Sequence, residues 1–140
     1  MKKLSCFFLF VLICSANMLS AQNVTMKADS LETVLCKKWE VDYVLMGEVK
    51  VGRMPGAAQI NYEFKKDKTF FITSDKPGDN VKGTWTYDTK NKLIKLSANG
   101  KSNSKIISLK EGELVMLIDM KEAPPNASEE LKMVFKEKAN

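Results

Sequence analysis

The sequence predicts an all-β protein: an eight-stranded antiparallel up-and-down barrel with a short N-terminal helix closing one end. Three observations carry this. In residues 81–97, Val81, Gly83, Trp85 and Tyr87 alternate with Lys82, Thr84, Thr86 and Asp88, and a polar turn at Thr89, Lys90 and Asn91 leads into Leu93, Ile94, Lys95 and Leu96. That is a half-buried strand, a hairpin and its partner, with a tryptophan at the centre of the inward face. Similar short runs recur at regular spacing, eight in all, with no internal helical pattern between them. Antiparallel strands joined in order leave two open edges unless the sheet closes, and eight strands close around side chains or one small ligand. A β-sandwich suits the same strand count, but near-uniform short hairpins favour a meander.

Ahead of the strands lies a segment with the features of an export signal. Lys2 and Lys3 precede an apolar run over residues 4–13, and Ser15, Ala16, Ser20 and Ala21 are the small residues a signal peptidase requires. The expected cut follows Ala21, with Ala16 as the second choice, which divides the chain into a signal peptide (residues 1–21) and one barrel domain (residues 22–140). The apolar run is too short for a stable transmembrane helix, and no later stretch is long or apolar enough to span. The expected product is exported and soluble, in the periplasm, the envelope or the medium. Cys14 follows Val11, Leu12 and Ile13 in the manner of a lipoprotein signal, but the large Ile13 stands where such signals need a small residue. A lipid anchor at Cys14 is therefore disfavoured.

The expected mature chain has a single cysteine, Cys36, so no disulfide framework supports the fold despite the oxidising compartment. Its 20 basic and 17 acidic residues are interleaved along nearly every strand, which serves solubility and marks no charged partner. Lys65, Lys66 and Lys68 form the densest basic group, yet Glu63 and Asp67 sit among them at a turn. Nucleic-acid binding is not expected, because the aromatic residues fall on the opposite strand face from the lysines.

Taken in order, residues 23–28 read as a loose start. Asp29 with Glu32 fits a capping box, and Leu31, Val34 and Leu35 give one apolar face, so a helix is expected from Ser30 to about Lys37. From Trp39 the period becomes two: Trp39, Val41, Tyr43 and Leu45 set the buried face of the first strand. Residues 47–58, with Gly47, Gly52, Pro55, Gly56, Arg53 and Met54, break the pattern and read as a long loop, either a gate over a binding site or a mobile connector. Ile60, Tyr62 and Phe64 make the next strand, Asp67 and Lys68 turn it, and Phe70 and Ile72 continue. Pro77, Gly78, Asp79 and Asn80 turn into the Trp85 strand. Asn99-Gly100 is a tight-turn signal, residues 105–109 a strand, Glu111-Gly112-Glu113 a turn, and residues 114–120 a strand. Pro124-Pro125 interrupts the sheet before Leu131, Met133 and Phe135 close it.

The chemistry is narrow. The chain has no histidine, the commonest general base and metal ligand. A lone Cys36 beside Leu35 reads as a small core residue, not a nucleophile. Calcium loops, phosphate-cradling loops and serine elbows are absent, so no enzyme activity, no metal and no cofactor are expected. Asn23-Val24-Thr25 and Asn126-Ala127-Ser128 match a glycosylation pattern too frequent by chance to carry a role.

What remains is an aromatic and aliphatic stripe. Trp39, Tyr43, Tyr62, Phe64, Phe70, Trp85, Tyr87 and Met116 are the candidate lining of the interior, with Arg53 and Met54 in the loop above it. The same stripe suits a solidly filled barrel or a partly open one in which tyrosine hydroxyls meet a ligand's polar end.

Together, the short leucine-bearing helix before Lys38-Trp39, Phe64 and Phe70 about a polar turn, Gly83-Thr84-Trp85-Thr86-Tyr87, Leu93-Ile94-Lys95-Leu96, residues 107–109 and Glu113-Leu114-Val115-Met116-Leu117 resemble the bacterial lipocalin-like domain proteins over essentially the whole mature chain. The resemblance implies a calyx carrying a small apolar or amphipathic ligand. Lipocalins proper carry Gly-x-Trp at their first strand, whereas Lys37 precedes Trp39 by two here and the motif falls at Gly83-Thr84-Trp85. The other reading, from a different class, is a barrel that works through its outer surface and loops as an envelope interaction or inhibitor module.

Overall fold

The computed structural model describes residues 23–52, 58–76, 78, 80–119 and 130–139. The expected signal and its Cys14, the proline pair 124–125 and the pattern at Asn126 lie outside them. Among the described residues, one helix, α1 (Ala28–Leu35), precedes nine strands: β1 (Lys38–Met46), β2 (Val49–Val51), β3 (Ile60–Phe64), β4 (Thr69–Ser74), β5 (Val81–Asp88), β6 (Leu93–Ala98), β7 (Lys101–Lys110), β8 (Glu113–Ile118) and β9 (Leu131–Glu137).

Every pairing is antiparallel, and β1 pairs with β9 from Trp39↔Glu137 to Met46↔Leu131, which closes the sheet into a barrel. The barrel has eight positions because β2 and β3 share one. Both run antiparallel to β1 along the same edge, β2 against Val44, Leu45 and Met46 and β3 against Lys38, Trp39 and Glu40. They occupy one strand position in two pieces, β2 ending at Val51 and β3 starting at Ile60. The expected eight-stranded meander is therefore the observed architecture. The expected loop at 47–58 is corrected in part: Gly47, at φ +60°, and Glu48 turn the chain into β2 within it.

A second correction concerns β1. A bulge between Val41 and Tyr43 leaves Asp42 without its own partner, so Tyr43 pairs with Val134 instead of continuing the face of Trp39 and Val41. Phe135 and Met133 face the core and Val134 lies between them, so Tyr43 is turned to the outer face. Simple alternation cannot anticipate this, because one extra residue inverts every side chain beyond it.

The helix also differs from expectation. It begins at Ala28, with Lys27 at the N-cap and no side-chain cap. Glu32 does not close a capping box, because it reaches Lys68 at 2.6 Å in the β3–β4 turn. Leu31 and Leu35 are buried beneath the barrel, so the helix plugs the end at which β1 starts.

The β5–β6 hairpin pairs as expected, with Trp85 opposite Leu96 and Tyr87 opposite Ile94. Its turn is organised by Asp88, which accepts hydrogen bonds from the Asn91 amide (3.0 Å) and side chain (2.9 Å) and pairs with Lys95 at 2.7 Å. Gly83 faces the core opposite Phe70, and its lack of a side chain is what admits that ring. A Cβ at Gly83 would lie 2.3 Å from Phe70 Cζ and 2.5 Å from the Ser97 carbonyl oxygen.

Two tests follow from this packing. Gly83→Ala is expected to lower stability by about 1–3 kcal/mol in urea unfolding through overpacking, with Phe70→Leu in the same chain recovering part of the loss. Lys95 first, then Asn91, hold the Asp88 carboxyl well below the usual carboxylate range. A depressed folded pKa stabilises above the ordinary value and is lost as pH falls, so below about pH 4 the wild type should lose stability more steeply than Asp88→Asn.

Candidate ligand-binding cavity

The two ends of the barrel differ in how they are filled. At the helix end the chain's largest side chains meet: Trp39, Trp85, Phe64, Phe135, Ile94, Leu96, Ile106, Leu114 and Met116 are all essentially inaccessible, with Leu31 and Leu35 beneath. Burying an indole requires a partner for its N–H. Trp39 Nε1 donates to the Leu35 carbonyl at 3.0 Å, at the C-terminus of α1, and Trp85 Nε1 donates to the Lys65 carbonyl at 3.1 Å. Lys68, already paired with Glu32, also places its ammonium 4.1 Å from the centre of the Trp85 ring. Tyr87 donates its hydroxyl proton to the Val24 carbonyl at 2.8 Å, and the Val24 amide donates to the Lys92 carbonyl, so the segment before α1 is laced to the same end. Cys36 packs against this core, and burial pushes its thiol pKa up.

Above this lies an aromatic floor. Tyr62 stacks with Phe64 and Phe70, each 6.0 Å away, and meets Phe135 edge-on at 5.2 Å. Beyond it the inward residues become small or aliphatic, and a cavity of about 500 Å³ opens. Its lining runs from Tyr62 and Phe70 across Ile72, Val81, Leu96 and Ala98 to Ser104 and Ile118, with Asn99 and Lys101 at the β6–β7 turn on its rim. That volume lies within the range of small-molecule sites, and the lining joins apolar walls to the polar groups of Tyr62, Asn99, Lys101 and Ser104.

The sequence-predicted candidates therefore divide. Tyr62 and Phe70 line the cavity, while Trp39, Phe64, Trp85 and Met116 lie below it in the packed half. Tyr87 spends its hydroxyl on Val24, and Tyr43 faces outward beside the wall. Arg53 and Met54 fall outside the described residues. Sequence reasoning passed over Ile72, Val81, Ala98, Ser104 and Ile118, which wall the cavity. Their signal was a size gradient: the inward positions taper from aromatic at the helix end to Ala98 and Ser104 at the other.

Tyr62 is the polar handle. Burial pushes its phenol up to about 12, and among the described residues its hydroxyl has no hydrogen-bond partner. No polar or charged residue is buried among the described residues, and none of their acidic or cysteine groups cluster as a metal site.

A barrel closed over a packed floor, with an apolar chamber at the other end, belongs to the class of small β-barrels that enclose a ligand-sized space. The lipocalin-like domain matches residues 36–116, more than half of the chain, and the protein belongs to that family. The match bears out the resemblance carried by the aromatic spacing. Among solved structures, the chain is similar to a DUF4847 family protein from Bacteroides vulgatus ATCC 8482, at 16% identity and a TM-score of 0.42, covering 79% of this chain and 99% of that one. Among curated proteins, no sequence matches this chain.

The raised phenol gives a direct test of the cavity's dryness. Its contribution to stability is full below the ordinary tyrosine value near 10 and is lost as pH rises toward 12. The difference in phenolate absorbance between wild type and Tyr62→Phe should have its midpoint near 12; a midpoint near 10 would show a hydrated ring.

Proposed function

We propose that the protein is an exported, non-enzymatic binding protein that holds a small apolar ligand in the open-end cavity, with the ligand's polar end at the Tyr62 hydroxyl. The observation that carries this reading is the cavity itself, about 500 Å³ of space above a packed floor that includes the Tyr62 phenol. A purely structural barrel gains from filling such space, because each missing contact costs stability. The hydroxyl supplies direction: a ligand carbonyl or hydroxyl there can hydrogen-bond the phenol in place of water. The narrow chemistry of the chain supports binding without turnover. The charged start, apolar run and small residues of 1–21 support export.

Native mass spectrometry and thermal shift against a panel of isoprenoids, porphyrins and lipids test this. A ligand at 100 times its Kd should stabilise the fold by about 2.7 kcal/mol and be recovered unchanged. Ala98→Phe, which fills the cavity, should abolish binding, and Tyr62→Phe should weaken ligands with a polar end about fivefold while sparing pure hydrocarbons. No stabilisation by any member of the panel, or equal binding to Ala98→Phe, overturns the reading. Mass analysis of protein recovered from the periplasm should show a chain beginning at Gln22.

A further inference from the structure

The outside of the barrel carries a concavity of its own, polar where the chamber is mostly apolar. One register row crosses it as Lys38 on β1, Glu63 on β3, Phe71 on β4 and Lys82 on β5. Their neighbours Trp39, Phe64, Phe70 and Gly83 are buried, which puts this row on the outer face. Phe71 is thus, like Tyr43, an outward aromatic among lysines, because Phe70 beside it takes the inward position. Lys65 and Lys82 lie 4.8 and 5.6 Å from its ring centre. At the other end of the row the chain returns from β9. The Lys138 amide donates to the Lys38 carbonyl at 2.9 Å, and the Lys138 ammonium donates to Asn61 Oδ1 at 3.2 Å. A pocket of about 400 Å³ opens there, lined by the side chains of Lys38, Asn61, Glu63, Thr73 and Lys138.

Lys38 and Glu63 face each other across β1 and β3, yet among the described residues neither enters an ion pair. Asn61 spends its carbonyl on Lys138 and keeps its amide hydrogens, and Thr73 keeps its hydroxyl. Two ammoniums against one carboxylate leave one positive charge unmatched in the pocket. A monoanion answers that excess; a dianion sets its second charge against Glu63, and a zwitterion leaves the excess in place. Asn61, Thr73 and Glu63 then call for hydroxyls, which donate to a carboxylate and accept from an amide. An alkyl carboxylate offers them nothing in exchange for water.

We propose that this pocket binds an acidic sugar, its carboxylate at Lys38 and Lys138 and its ring hydroxyls at Asn61, Thr73 and Glu63. Phe71 lies two strand spacings from Lys38, about 10 Å. With Lys65 and Lys82 it gives the next acidic unit of a glycan chain a ring face and a second pair of cations. The site does not rest on the chamber: Tyr62 alone lines both, and its ring stacks inside the barrel on Phe64 and Phe70.

Titrations of the full chain with glucuronate, glucose, propionate, inorganic phosphate and tetragalacturonate, read by NMR, test this. Glucuronate should shift the Asn61 side-chain amide and the Thr73 methyl, bind more tightly than glucose, propionate or phosphate, and be exceeded about tenfold by tetragalacturonate. Lys38→Gln should weaken glucuronate about fivefold and leave glucose unchanged. Thr73→Val should weaken glucuronate and leave propionate unchanged; both positions are exposed on the outer face, so both variants are expected to keep the wild-type Tm. Ala98→Phe, which fills the chamber, should leave every one of these affinities as it is. Propionate or phosphate binding as tightly as glucuronate, shifts that miss Asn61 and Thr73, or full glucuronate affinity in Lys38→Gln each overturn the proposal.

Discussion

The closure of β1 onto β9 is the constraint on which the rest depends. Seven paired positions, Trp39 through Met46 against Glu137 through Leu131, remove the two edges that a meander would otherwise expose and fix which residues share the interior. Without that seam, Trp39 and Phe135 would not lie on opposite sides of one core, and Tyr62 would have no ring to meet edge-on. The hydrogen bonds of the two indoles and of Tyr87 are consequences of closure. They satisfy polar groups that burial has cut off from water, and in doing so they tie α1 and the preceding segment to one end.

The bulge in β1 and the break between β2 and β3 are linked features of one wall. β1 pairs continuously with β9 on one side, yet on the other it meets two short partners separated by eight residues. An inserted residue adds local twist, and it falls between the β3 register ending at Glu40 and the β2 register starting at Val44. Among the described residues, β1 is thus paired along its length on one side and only near its two ends on the other.

Much of this was legible in the sequence, and the limits have physical causes. Period-two alternation located nearly every strand, and turn chemistry at Asn99-Gly100 and Gly112 placed the hairpins, where the structure has the positive φ angles such turns require. Gly83, inward on the Trp85 strand, is where the Phe70 ring approaches the backbone. Tyr43 could not be placed, because an extra residue is invisible to a pattern that only counts alternation. β2 was hidden because Val49, Lys50 and Val51 are too few to establish a period beside Gly47 and Gly52. Glu32 has the spacing of a capping residue, but its partner Lys68 lies 36 positions away, beyond the reach of local patterns. Aromatic residues attract attention as lining groups, yet in this tapered barrel most of them fill the floor, and smaller residues such as Ala98 and Ser104 wall the space with Tyr62 and Phe70.

That taper divides the labour of the side chains. The residues that hold the fold together, from Trp39 and Trp85 to the plugging helix, sit at one end, and those that wall the chamber, Ile72, Val81, Ala98, Ser104 and Ile118, sit at the other. Substitutions at the open end reshape the chamber with little reach into the packed half. A barrel of this construction can change what it accommodates across a lineage while its foundations stay still, so relatives that share the aromatic floor need not share a ligand.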